Sequence, residues 1–168
     1  MLGIIGVGMV GGAIVESLKC KNIEFCCYDK YKNIGNLKKC LETKILFICL
    51  PTLFDEKSKC YNKDSLNETI YYLQENNYQG LIVIKSTIEP GTSQKLSDKF
   101  KNLDIVHNPE FLTARTAFED FQKQNHIVLG KTNKVDEDKI KKLYNFFKNN
   151  YSENISIVTS EESEMMKI

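Results

Sequence analysis

Leu2-Gly-Ile-Ile-Gly-Val-Gly-Met-Val-Gly11 opens this 168-residue chain as an apolar run that breaks into three spaced glycines. A short apolar run followed by a turn and helical periodicity predicts strand, tight turn and helix. Gly6, Gly8 and Gly11 fit G-x-G-x-x-G, in which the first glycine makes the turn, the second admits a pyrophosphate and the third lets helix pack on strand. Met9 and Val10 lie between the last two glycines, where the opening helix points free N–H groups outward. Glycines also gather in ordinary turns, so context has to carry the motif. Val10, Ala13, Ile14 and Leu18 recur at helical spacing, and a second strand, Ile23 to Tyr28, ends on Asp29, where a ribose-binding acid belongs. These features predict a dinucleotide cofactor, and an acid at position 29 favours NAD over NADP because it repels a 2′-phosphate.

The remainder of the chain repeats the alternation. Lys44-Ile-Leu-Phe-Ile-Cys-Leu50 is an unbroken apolar run bounded by Pro51, which predicts a strand buried on both faces and therefore parallel. Thr52 to Asp64 reads as a long polar loop, and Ser65-Leu-Asn-Glu68 as a capping box ahead of a helix carrying Leu66, Ile70 and Leu73. Further strands are predicted at Gly80 to Ile84, Leu103 to His107, His126 to Leu129 and Ile155 to Thr159. Helices are predicted from a cap at Thr92, within Phe111 to Gln122, around Ile140 to Phe147, and starting again after Glu161. The fold class is α/β: a Rossmann-type, doubly wound, mostly parallel sheet with helices on both faces. Pro51, Pro90 and Pro109 each fall just beyond the carboxyl end of a predicted strand, the edge where open α/β sheets bind ligands.

Composition narrows the partners. With 23 basic and 22 acidic residues the formal charge is +1, which gives nucleic acid and anionic membranes no footprint. No apolar stretch is long enough for a membrane span, and a cytoplasmic protein is expected. The six cysteines form no C-x-x-C pair, so neither a metal site nor a disulfide framework is expected, and His107 and His126 are taken as structural.

Leu50-Pro-Thr52, Lys85-Ser-Thr-Ile-Glu-Pro-Gly-Thr92 and Asn108-Pro-Glu-Phe-Leu112 each follow a predicted strand, and Glu164-Met-Met-Lys167 comes last in order. In this order they resemble the N-terminal NAD-binding domain of the UDP-glucose/GDP-mannose dehydrogenase family, over essentially the whole chain. The resemblance implies oxidation of a nucleotide sugar's primary alcohol to a carboxylate with two NAD, UDP-glucose being the leading substrate and the UDP-glucose 6-dehydrogenase type the leading member. It implies that Gly6, Gly8, Met9, Val10, Gly11 and Asp29 hold NAD, with Pro51, Thr52, Ser86 and Thr87 beside it. Thr87 would position a hydrolytic water, Glu110 would act at the hydrolysis step, and Lys167 would stabilise an oxyanion. Glu110, Phe111 and Leu112 would meet the substrate. The family's second acidic residue, four places after Glu110, is Ala114 here.

The family also continues into a central helix and further domains that carry a catalytic cysteine in a glycine-rich loop, and no cysteine here has a glycine neighbour. Residues 1–160 are therefore expected to form the NAD-binding domain and 161–168 the start of a helix leading into an absent central domain. The cysteine would come from those missing domains or from a partner chain. Two other readings stay open: a stand-alone NAD-binding or regulatory module without catalysis, and a domain of the 3-hydroxyacid or 6-phosphogluconate dehydrogenase kind.

Overall fold

A computed structural model describes residues 1–168. In chain order the elements are β1 (Leu2–Ile5), α1 (Met9–Cys20), β2 (Phe25–Tyr28), α2 (Leu37–Cys40), β3 (Ile45–Ile48), β4 (Phe54–Asp55), β5 (Cys60–Tyr61), α3 (Asp64–Glu75) and β6 (Leu81–Ile84). They continue with α4 (Thr92–Lys99), β7 (Asp104–His107), α5 (Ala117–Gln122), β8 (Ile127–Lys131), α6 (Glu137–Asn150), β9 (Ile155–Thr159) and α7 (Ser160–Met165). The main sheet has the order β2-β1-β3-β6-β7-β8-β9, so consecutive strands step outward in both directions from β1. That reversal of strand order creates a crevice above the carboxyl ends of β1 and β3.

Strand alternation divides the core in two. Leu2, Ile4, Ile45, Phe47, Leu81 and Val83 point to one face, where α1, α5 and α6 cover them with Ile14, Leu18, Phe121, Leu143 and Phe147. Ile5, Leu46, Ile48, Ile82 and Ile84 point to the other, under Cys40, Leu66, Ile70, Leu73 and Leu96 of α2, α3 and α4. Because both faces are covered, the inner strands have no polar alternation, which is how unbroken runs such as Ile45–Ile48 arise.

The main sheet is mostly parallel, as expected; its exception is β7 with β8, antiparallel with Val106 opposite Lys131, whereas β8 pairs with β9 in parallel. Several local expectations are corrected. The stretch after Pro51 contains a small antiparallel hairpin, β4 with β5, closed by an edge-on Phe54–Tyr61 ring pair. It is anchored by Glu89, which accepts from the Tyr61 N–H at 2.7 Å and pairs with Lys63 at 2.6 Å. Helix α3 starts at Asp64 with no side-chain cap, so Ser65 and Glu68 lie inside it and make no capping box. Thr92 is likewise inside α4: the cap position is Gly91, at φ +89°, and the Thr92 hydroxyl donates to the Glu89 carbonyl at 2.7 Å. A capping box does form at α7, between Thr159 and Glu162. No helix is long and apolar enough to cross a membrane.

Candidate functional site: one cleft at the carboxyl edge of the sheet

Gly6 follows β1 at φ +89°, a left-handed conformation that glycine reaches without strain. The turn it makes brings α1 so close to β1 that a Cβ on Gly11 would run into the Gly6 carbonyl oxygen. Gly8, by contrast, is exposed, and a Cβ built there meets no protein atom within 4 Å. The space above it is open, and no acidic residue occupies the first turn of α1 to compete with an incoming anion.

Asp29 ends β2 beside this turn. Its Oδ2 accepts from the Val7 N–H at 2.8 Å, and its Oδ1 accepts from the Tyr31 and Lys32 N–H groups at 3.0 Å each. Burial alone would raise its pKa, and those three backbone donors outweigh it, leaving the carboxyl below its ordinary value and ionised at neutral pH. A carboxylate oxygen accepts about two hydrogen bonds, so Oδ1 is saturated while Oδ2 keeps a place for one more donor such as a ribose hydroxyl. Lys32 folds back over the same turn, its Nζ donating to the Val7 carbonyl at 2.5 Å.

The loops after β3 and β6 are tied to each other. The Ser86 hydroxyl donates to the Leu50 carbonyl at 2.6 Å, and the Thr52 hydroxyl donates to the Thr87 carbonyl. Beyond β7, Glu110 is buried, and its carboxylate touches the Lys85 ammonium. Lys85 also donates to Asn108 Oδ1, and Lys167 of the C-terminal segment donates to the Glu110 main-chain carbonyl. Burial lowers the pKa of Lys167. His107 lies wholly buried beneath, Nδ1 against the Ser163 hydroxyl at 2.7 Å and Nε2 against the Ser86 carbonyl at 3.2 Å. Only a tautomer protonated on Nε2 satisfies both, and burial pushes its pKa down to about 4, so it is neutral.

All of these loops open into one cleft of about 860 Å³. Of the residues singled out in the sequence, Gly6, Gly8, Met9, Val10, Asp29, Pro51, Thr52, Ser86, Thr87, Glu110 and Lys167 line it. Gly11 lies just below, between β1 and α1. Phe111 and Leu112 are not among the lining residues: Phe111 is 59% exposed, with Lys167 Nζ 5.6 Å from its ring, and Leu112 packs against the core. Three of the lining residues carried no role assigned from the sequence. Thr69 and Tyr72 of α3 form part of the wall, and their spacing of three, which puts them on one side of the helix, was the available signal. Lys85 is the third; a cation closing the apolar run Leu81–Ile84 was its signal. Cys49 is the only cysteine on the cleft lining, and burial pushes its thiol up to about 12.

The cleft fits an extended dinucleotide: an open glycine turn, a free acceptor on Asp29, and room continuing to Thr87 and Glu110. Comparison with known proteins agrees. The sequence model of the UDP-glucose/GDP-mannose dehydrogenase family, NAD binding domain, matches residues 31–148. The UDP-N-acetyl-D-mannosamine dehydrogenase of Methanococcus vannielii is 31% identical over 145 residues, which cover 82% of this chain and 32% of that protein. The UDP-glucose 6-dehydrogenase of Campylobacter jejuni is 28% identical over 160 residues, covering 92% and 38% respectively. In three dimensions the fold matches a UDP-glucose dehydrogenase from Pyrobaculum islandicum with a TM-score of 0.83 at 18% identity, over 99% of this chain and 48% of that one. The chain thus spans about a third of the length of those two sequence relatives and about half of the solved structure. It belongs to the UDP-glucose/GDP-mannose dehydrogenase family, as a NAD-binding domain of these nucleotide-sugar dehydrogenases.

Proposed function

We propose that this domain serves the oxidation of UDP-glucose to UDP-glucuronate, in an enzyme of UDP-glucose 6-dehydrogenase type. Gly6, Gly8, Met9 and Val10 receive the pyrophosphate while Gly11 lets α1 seat against β1 beneath it, Asp29 accepts from a ribose hydroxyl, and Pro51, Thr52, Ser86 and Thr87 flank the rest of the cofactor. NAD, when bound, supplies the hydride acceptor. The chain's own residues supply the setting for the hydrolytic half of the reaction. Thr87 holds a water by its hydroxyl, Glu110 takes the proton from that water, and Lys167 places positive charge where an oxyanion develops. Phe111, next to Lys167, and Leu112 are assigned to the substrate side.

One observation carries this reading: a carboxylate, a threonine and an ammonium from three separate elements line the cleft into which the glycine turn opens. The choice of UDP-glucose is supported by relatives that bear that name, including one from Rickettsia bellii that is 38% identical over 87 residues. A four-electron oxidation also needs a nucleophile to hold the acyl group between the two hydride transfers. Cys49, with its thiol pushed up to about 12, is a poor one, so we assign that role to a cysteine outside these 168 residues, on further domains or a partner chain.

The same thiol favours a second reading, in which the chain binds NAD without turnover of its own. Calorimetric titration with NAD and NADH, followed by absorbance of NADH with UDP-glucose present, tests both. Binding without sustained NADH production is expected. Failure to bind NAD would remove the functional reading, and UDP-glucuronate appearing in the mass spectrum from this chain alone would show that the nucleophile lies within it. Tighter binding of GDP-mannose or UDP-N-acetylmannosamine than of UDP-glucose to the NAD-loaded domain would overturn the substrate.

A further inference from the structure

Lys85 directly follows β6, and its side chain is entirely withdrawn from solvent. The surrounding rings favour a cation only weakly against the cost of burying one. Phe47, Phe121 and Phe147 stand 5.8, 5.8 and 6.0 Å from Nζ, near the outer limit of a cation–π contact, and an apolar side chain would fill that space without the cost of desolvating a charge. What the ammonium meets instead is the end of β7: Glu110 Oε1, Asn108 Oδ1 and, at 3.5 Å, the Asn108 carbonyl. Asn108 is itself fixed, its Nδ2 donating to the Val128 carbonyl at 2.8 Å. The lysine is therefore referenced to β8 as well as β7. Lys167 donates to the Glu110 main-chain carbonyl. Oε1 is thus engaged, while Oε2 has no hydrogen-bond donor from the protein, in a residue that lines the cleft.

We propose that Lys85 is the positioning residue for Glu110: seated on Oε1 and registered against Asn108, its ammonium turns Oε2 toward the cleft and keeps the carboxylate ionised. This rests on the function proposed above only for the use to which Glu110 is put; the pairing and its electrostatic consequence stand on the geometry. The other titratable groups facing Lys85 are Cys49 at the end of β3, His107 on β7 and Lys167 beyond α7. Cys49 and His107 are neutral, so Glu110 is the anion that balances the buried lysine, with Lys167 a second cation nearby. Burial first, with Lys167 adding to it and Cys49 opposing, brings Lys85 down to about 7; an ionised Glu110 in contact with the ammonium opposes that shift.

Each group therefore reports on the other, and the test is reciprocal. The 168-residue chain is labelled with ¹³C at lysine Cε and glutamate Cδ and titrated by NMR. In Glu110→Gln the Lys85 signal should titrate at lower pH than in the unaltered protein, because the carboxylate that opposes the effect of burial is gone. In Lys85→Met one glutamate should titrate well above the ordinary carboxylate value of about 4.3 and be missing from the Lys85→Met/Glu110→Gln double variant. Lys85→Arg should return that glutamate to the ionised form, a rescue that filling the space alone would not give.

If Lys85→Met fails to fold, the Glu110→Gln and Lys85→Arg proteins decide. An unchanged Lys85 titration in Glu110→Gln, or a Glu110 that titrates as it does in the unaltered chain when Lys85 is methionine, overturns the proposal. NAD affinity measured on the same samples keeps the two questions apart: absence of NAD binding by the unaltered chain would sink the functional reading and leave these titrations to stand or fall alone.

Discussion

Around Gly6, Val7 and Gly8 the cleft wall is main chain: N–H groups, carbonyls, and glycines whose missing side chains make the room. Across the sheet, at the ends of β6 and β7, the wall is made of buried side chains, with Lys85, His107 and Asn108 hydrogen-bonded to other elements and Glu110 ion-paired with Lys85. The first region is defined by what it leaves open, and the second by what it neutralises. A backbone site tolerates changes that point outward and fails when the turn itself is filled. A site of buried charges and polar groups fails whenever one partner is left alone, because an unpaired charge in a low-dielectric interior is costly.

The largest effect should come from filling the turn. In Gly11→Val the new side chain meets the Gly6 main chain, which cannot step aside without separating α1 from β1, and a loss of at least about 4 kcal/mol is expected in urea unfolding. A stably folded Gly11→Val would mean that the close approach of helix and strand is not needed.

Acid should expose the side-chain region next. His107 has its pKa lowered from 6.5 to about 4, so between those values the unfolded chain carries a proton that the native protein refuses. Stability is therefore lost as pH falls from 6.5 to about 4, and by linkage the histidine's share reaches about 3 kcal/mol at the bottom of that window. His107→Gln should flatten that part of a stability-against-pH curve. A slope unchanged by the substitution would assign the acid sensitivity to other groups.

Gly8→Val separates the two roles of the glycine motif. Nothing in the protein opposes a side chain at Gly8, so the circular dichroism spectrum should be unchanged while NAD affinity falls by at least about a hundredfold. Normal NAD binding by a folded Gly8→Val would break the dinucleotide assignment of the turn. The smallest effect is expected at Asp29→Asn, which removes the charge and leaves the Val7 N–H facing an amide NH2 while the oxygen keeps the Tyr31 and Lys32 donors. The preference for NAD over NADP should narrow by about tenfold in parallel titrations. Tighter binding of NADP than of NAD to the unaltered chain would end the role given to Asp29.

How much of this could be read beforehand follows the same division. The glycine turn was legible because all its determinants fall within ten consecutive residues and act through local backbone geometry. The buried runs of β1, β3 and β6 were legible because coverage on both faces removes polar alternation. The direction of β8 was not, since Ile127 to Gly130 are buried in either orientation and the chain before them is long enough for a crossover or a return. The β4–β5 hairpin was hidden because two-residue strands carry no period. The resemblance pointed to Glu110 and Lys167, but it could not say that Glu110 is paired with Lys85, because the two come together only when β6 lies beside β7. The capping of α4 failed for the same reason: a cap was sought beside the helix, at Thr92, whereas the acceptor lies far along the chain.

That acceptor is Glu164. Its carboxylate is fully buried and takes the Gly91 N–H at 2.6 Å and the Ser93 N–H at 2.8 Å, at the amino end of α4. First-turn amides ordinarily fray and exchange with solvent quickly, since no residue of their own helix accepts from them. Here two of them are closed off by a residue on α7, so they can exchange with deuterium only when α7 lifts away. The slow clock of those two amides would measure how often the C-terminal helix leaves the edge of the cleft, a motion otherwise silent in the sheet beneath it.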